Sequence, residues 1–109
     1  MAVIILPDAQ DDLLVLQEYM LDKWSEASWL KAEDEIFDKL AKVDSDRFNG
    51  TPVQELVSVG IRDYQNVCTS HHKLVYRRIV NDTYVYLVAG DRQDFTTLLI
   101  RRLLKLDRQ

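Results

Sequence analysis

Apolar residues recur along this chain in two different periods. In the first half they fall at Leu13, Leu16, Met20 and Trp24, and again at Trp29, Ala32, Ile36, Leu40 and Val43. Steps of three and four place each set on one stripe of a helix. Asp8 is the expected N-cap of the first helix, with Asp11 and Asp12 in its opening turn, and Ser25 is the expected cap of the second. So short a break between the stripes predicts an antiparallel helical hairpin with its Trp and Leu residues in the core. Ahead of it, residues 2–6 form a short apolar strand that Pro7 ends.

In the second half the period falls to two. Residues 74–80 and 83–89 are apolar, aromatic and β-branched runs, and Asn81-Asp82 separates them. Asn and Asp tolerate the positive φ of a two-residue turn, so this is a β-hairpin signal. The implied register pairs Val80 with Thr83, Tyr76 with Leu87 and Val75 with Val88. One face then holds Leu74, Tyr76, Val85, Leu87 and Ala89 and suits a core under the helices. The other holds Lys73, Val75, Arg77, Ile79, Tyr84, Tyr86 and Val88, and is open to solvent or to a partner. A slip of one residue would exchange the faces.

The remaining segments are less periodic. Residues 44–59 contain the breakers Asp46, Asn49, Gly50 and Pro52, with Glu55-Leu56-Val57 as a brief extended piece. Residues 61–69 read as a third strand and 70–72 as the loop into the hairpin. After Gly90 comes the polar turn Asp91-Arg92-Gln93-Asp94, where Asp94 caps a last helix bearing Leu99, Leu103 and Leu106. The order is strand, helix, helix, three strands, helix. It predicts an α+β domain over residues 1–109, with helices on one face of a small, mostly antiparallel sheet.

A chain of 109 residues supports one core and is too short for two. No apolar run approaches the ~20 residues of a membrane span. The apolar start has no basic region before it, so it reads as a strand and not a signal peptide, and the expected location is the cytoplasm. The single cysteine, Cys68, excludes an internal disulfide framework and a cysteine-based zinc site. Charge is unevenly divided. Residues 1–60 carry 13 acidic and 5 basic side chains, net −8, and residues 61–109 carry 5 and 9, net +4. The split describes either two solvated faces or a basic C-terminal half that meets an anionic partner. Overall acidity argues against sequence-independent nucleic-acid binding, which relies on phosphate neutralisation.

Several blocks, taken in order, resemble the RelE/ParE toxins of bacterial toxin–antitoxin pairs. They are the opening strand and helical hairpin, Gly50-Thr51-Pro52-Val53-Gln54-Glu55-Leu56, Gly60-Ile61-Arg62, His72-Lys73-Leu74-Val75-Tyr76-Arg77, and the run from Tyr86 to Asp94 with Leu98-Leu99. The resemblance implies the RelE/ParE fold, a cognate antitoxin that wraps an amphipathic segment over the toxin, and one of two activities. RelE-like members cut mRNA in the ribosome; ParE-like members bind DNA gyrase.

Against the nuclease pattern, Lys73 stands where the family strand carries Arg. Tyr64 and Asn66 fall at the expected basic pair, and Leu98 falls at the aromatic or His position. Arg92 alone keeps a matching cation. These departures favour a ParE-like gyrase inhibitor with no catalysis, cofactor or metal, working as a homodimer or as a hetero-oligomer with its antitoxin. Its target- or partner-binding candidates are Arg62, Lys73, Arg77, Tyr86, Arg92, Arg101 and Arg102. The alternative is a ribosome-dependent mRNA endonuclease using His72, Lys73 and Arg92, and a third reading keeps the antitoxin contact alone. The cations have a plain structural reading too, as solvated charges, ion pairs with Asp63, Asp91 or Asp94, or partners of a helix C-terminus. His71-His72 reads either as a loop or as an acid–base element.

Overall fold

The computed structural model describes residues 2–104, with the side chain of Leu104 left out. Leu106 of the expected last stripe lies outside the described residues. Strand β1 (Val3–Ile5) runs into helix α1 (Pro7–Lys23), which turns back as α2 (Glu26–Asp44). Pro7 opens α1, after Leu6 in the N-cap position, and Asp8 lies inside the first turn. Pro7 at the first helical position supplies a preset φ and has no N–H to leave unpaired, and Asp8, one residue inside the helix, adds its carboxylate to the first turn instead of capping it. Ser25 caps α2 as predicted, its hydroxyl accepting the Ser28 N–H at 3.1 Å. Trp24 leaves the core stripe: it follows the last turn of α1 and is 52% exposed.

The breaker-rich segment forms β2 (Thr51–Pro52) and a one-turn helix α3 (Gln54–Val57), so Glu55-Leu56-Val57 is helical and not extended. Strand β3 (Gln65–Cys68) occupies the second half of the third predicted strand. Then come β4 (His72–Ile79), β5 (Asp82–Gly90), α4 (Phe95–Leu99) and a π-helical continuation (Ile100–Leu104). Asp94 caps α4, its carboxylate accepting from the Thr97 N–H at 3.2 Å. The five strands lie in the order β1-β5-β4-β3-β2, with β1 parallel to β5 and the other neighbours antiparallel.

The hairpin forms, but in a different register. Ile79 pairs with Asp82 and Tyr76 with Val85, so the loop is Val80-Asn81 instead of Asn81-Asp82. Val80 carries the positive φ, at 59°. Farther along, Val75 pairs with Leu87, which leaves Tyr86 as the extra residue of a β-bulge. A bulge inverts the alternation beyond it. Leu87 and Ala89, expected under the helices, therefore pair with Val75 and Lys73 on the opposite face, and Val88 crosses the other way to pair with Leu74.

Two cores result. Under α1 and α2, Leu74, Tyr76, Val85 and Val88 pack with Leu16, Met20, Trp29, Ile36 and Leu40. On the other side Val75 and Leu87 pack with Val53, Leu56 and Leu99, flanked by Tyr64, Phe95 and Leu98. Helices cover one face as predicted, while α3 and α4 close part of the face that was expected to stay open. Among the described residues no helix is long and apolar enough to cross a membrane.

Candidate functional site

Residues two apart on a strand share a face, so Lys73 and Arg77 stand on the α3/α4 side of the sheet. The Lys73 ammonium lies 4.2 Å from the centre of the Phe95 ring. The Arg77 guanidinium lies 5.4 Å from that of Tyr64. Tyr64 meets Tyr86 edge-to-face at 5.0 Å. Arg77 also reaches the exposed Asp63 carboxylate at 4.0 Å, a loose pair of little energetic weight. The result is a patch of cations laid over aromatic rings. The bulge sets this up, because it turns Tyr86 towards Tyr64 while keeping Leu87 in the second core.

Arg92 is exposed in the turn that leaves β5. The turn is held by the Gly90 N–H, which donates to Gln93 Oε1 at 2.8 Å, and by the Asp91 N–H, which donates to the His71 carbonyl at 3.0 Å. Asp94 does not pair with Arg92. Its carboxylate takes the hydroxyl and N–H of Thr97, and these bonds hold its pKa below the ordinary value. Beside Arg92 a groove of about 240 Å³ opens between this turn and α1, walled by Tyr19, Met20 and Trp24. Sequence reasoning missed the groove, because it had assigned Trp24 to the core.

Arg102 has another role. Its guanidinium clasps the Asp12 carboxylate with two bonds, 2.9 and 3.0 Å, and donates to the Tyr86 carbonyl at 2.9 Å. The same carboxylate accepts the Val88 N–H at 3.0 Å. Strand β1 pairs with β5 only as far as Val85. Beyond that point, Asp12 and Arg102 satisfy β5 backbone groups that have no strand beside them. Hydrogen bonding to Asp12 raises the Arg102 pKa, against the opposing effect of burial. Arg102 is thus a clamp between α1, β5 and the last helix. Arg62 and Arg101 are exposed.

His71 and His72 part company. His72 is not in a loop; it begins β4, is 5% exposed, and meets Trp29 edge-on at 6.5 Å. Its Nδ1 is buried without a hydrogen-bond partner. Burial pushes its pKa below the ordinary 6.5, and His71 adds to that, while Asp91 and Glu35 act against it. His71 stays near the surface, edge-on to Trp24 at 5.2 Å and 3.9 Å from Asp91. Adjacent strand residues face opposite ways, so the buried His72 and the Lys73 ammonium do not converge on one point. Among the described residues, no group of His, Cys, Asp and Glu is placed to hold a metal ion.

Strand order, helical hairpin and the bulged β4–β5 ribbon can be compared with solved structures. The chain superimposes with a TM-score of 0.65 on a structure described as the chromosomal ParDE TA system from P. aeruginosa. The fold is ParE-like. The match covers 83% of this chain and 95% of the other at 12% sequence identity, which carries the fold and no function. No family model and no curated protein matches the sequence.

Proposed function

We propose that the protein is the toxin of a type II toxin–antitoxin pair and that it inhibits DNA gyrase by binding it, without chemistry of its own. The ParE-like fold and the ordered sequence blocks support the toxin reading. One observation favours binding over cleavage. On the face that carries Lys73 and Arg77 the cations lie over aromatic rings, the phenol-bearing rings of Tyr64 and Tyr86 are set edge-to-face on each other, and the Asp63 carboxylate beside Arg77 is exposed. Positions 64, 66 and 98, where a nuclease of this family would put its basic pair and its aromatic or His, hold Tyr, Asn and Leu. Tyr64 is engaged with Tyr86, and Leu98 packs against the second core. General acid–base catalysis needs a group within hydrogen-bond reach of the reacting oxygen, and His72, the remaining candidate, is buried. Cations stacked on aromatics are instead the residue types of protein-binding hot spots.

On this reading Lys73, Arg77 and Tyr86 carry the working face, and the exposed Arg62, Arg92 and Arg101 are further contact candidates. A cognate antitoxin neutralises the protein by covering the same tyrosines and cations. The test is a pair of assays on the purified protein: gyrase supercoiling, and a translation extract with mapped mRNA ends. Inhibited supercoiling with intact mRNA is expected, and Arg92→Ala should weaken the inhibition. Codon-linked cuts with normal supercoiling would sink the proposal in favour of a ribosome-dependent endonuclease.

A further inference from the structure

The groove between the end of α1 and the turn after β5 has the size and walls for a flat ring. Tyr19 and Trp24 line it from the surface, and the buried Leu16 and Met20 line it from below. His71 stands edge-on to Trp24 at 5.2 Å. Gly90 adds no side chain to the floor, where a Cβ would lie 3.0 Å from Leu16 Cδ2. An apolar cavity of about 150 Å³ takes a benzene ring, so a volume of about 240 Å³ suits a two-ring side chain.

Three polar groups in the lining specify the ligand. His72 belongs to the buried part, and its Nδ1 has no hydrogen-bond partner, whereas buried polar atoms are nearly always paired. Burial keeps this ring neutral near neutral pH, and a neutral imidazole has one acceptor nitrogen. The last side-chain torsion of His is roughly two-fold, so a half-turn of the ring offers either edge to a ligand N–H. The charged groups of the lining are one base and one acid, Arg92 and Asp91. Asp94 is bonded to Thr97 and not to Arg92. Asp91 lies 3.9 Å from His71 Nδ1, a contact that is an ion pair only when His71 is protonated. An anionic ligand would meet Asp91 as well as Arg92, and a cationic ligand would meet the reverse conflict. A zwitterion satisfies both. We propose that this groove binds a free aromatic amino acid with a ring N–H, tryptophan or a close analogue. Its ring lies between Tyr19, Met20 and Trp24, its carboxylate meets Arg92, its ammonium meets Asp91, and its ring N–H donates to His72. Arg92 is also a contact candidate for the toxin's target. Binding of the amino acid is read without that target, so this proposal and the toxin reading fail separately.

The experiment is calorimetry on the whole chain with L-tryptophan, N-acetyltryptophan, tryptophan amide and naphthylalanine. L-Tryptophan should bind with a Kd on the order of 0.1–1 mM, ordinary for a ligand of its size. Arg92→Gln should weaken it about fivefold and leave tryptophan amide unchanged, and Asp91→Asn should weaken it about fivefold and leave N-acetyltryptophan unchanged. Trp24→Ala removes a wall and should weaken all four about tenfold. Naphthylalanine has a ring of similar size without the N–H. It should bind about fivefold more weakly than tryptophan to the wild type, and equally to His72→Phe. Residues 24, 91 and 92 are exposed, so their variants should keep the wild-type melting temperature. No binding of L-tryptophan at millimolar concentration would overturn the proposal. So would binding that Arg92→Gln, Asp91→Asn and Trp24→Ala all leave unchanged, which would put the ligand elsewhere. Equal affinity for N-acetyltryptophan or for tryptophan amide would make the end of a peptide chain the ligand, and would overturn the free amino acid.

Discussion

Asp12→Ala should be among the most damaging single substitutions on the helical side. Its carboxylate makes three bonds, to both terminal nitrogens of Arg102 at 2.9 and 3.0 Å and to the Val88 N–H at 3.0 Å. The side chains of Asp12 and Arg102 are 16% and 21% exposed. Removing one partner from a fully buried ion pair costs about 3–5 kcal/mol. Here both groups keep some water, and Asp8 remains 3.8 Å from the guanidinium, which lowers the cost. Against that, the Val88 N–H loses its acceptor, worth about 1–3 kcal/mol. The expected loss is about 2–4 kcal/mol, or a fall in Tm on the order of 10–25 °C for a domain this size. Urea unfolding of wild type, Asp12→Ala, Arg102→Ala and the double variant forms a cycle, and a coupling energy of about 1.5–3 kcal/mol is expected. A loss under about 0.5 kcal/mol, with no coupling, would refute the clamp. If Arg102→Ala instead left the urea midpoint alone and weakened target binding, Arg102 would be a contact residue after all.

His72 should make the fold acid-sensitive. Its folded pKa is lowered, so below about pH 6.5 the unfolded chain takes up a proton that the folded one refuses, and stability falls as pH drops towards the folded value, by at most about 1.4 kcal/mol per pH unit. Melting curves between neutral and mildly acidic pH should show a shallower loss in His72→Phe, and equal slopes would count against the assignment. Tyr76→Phe removes the hydroxyl that accepts the Gly50 N–H at 2.8 Å and should cost about 1–3 kcal/mol by urea titration, whereas a neutral result would mean that water replaces it. Val80→Asn should gain about 1 kcal/mol, because a β-branched residue at φ 59° is strained and Asn tolerates that region; a loss would show that the turn is not strained.

What the chain disclosed in advance depended on the range of the signal. The two helices and the Ser25 cap follow from residues within a few positions of one another, and both appeared where expected. The hairpin was also visible, but its register was not. Alternation has no mark for an extra residue, so the bulge at Tyr86 exchanged Leu87, Val88 and Ala89 between faces. Val80 took a conformation that its side chain disfavours, which no local rule would choose over Asn81-Asp82. The Asp12–Arg102 clamp joins residues ninety apart, and neither has a neighbour in sequence that hints at the other. From the sequence, Arg102 therefore reads as a partner-binding candidate or a helix C-terminal charge. Lys73 and Arg77 did share a face as expected, but the aromatic partners Tyr64 and Phe95 came from distant elements.

The parallel pairing of β1 with β5 sets an order of assembly. Val3 lies against Thr83, so the first strand waits for nearly the whole chain before it has a neighbour. During synthesis the helical hairpin emerges early and has no sheet to rest on until β4 and β5 follow. Contacts of such long separation are slow to form. The last link, Asp12 to Arg102, closes only when the final helix has left the ribosome, so a partly made chain has neither the finished basic face nor a sheltered core. A nascent molecule of this kind lacks its second core and its closing clamp, and it is open to proteases for most of its synthesis.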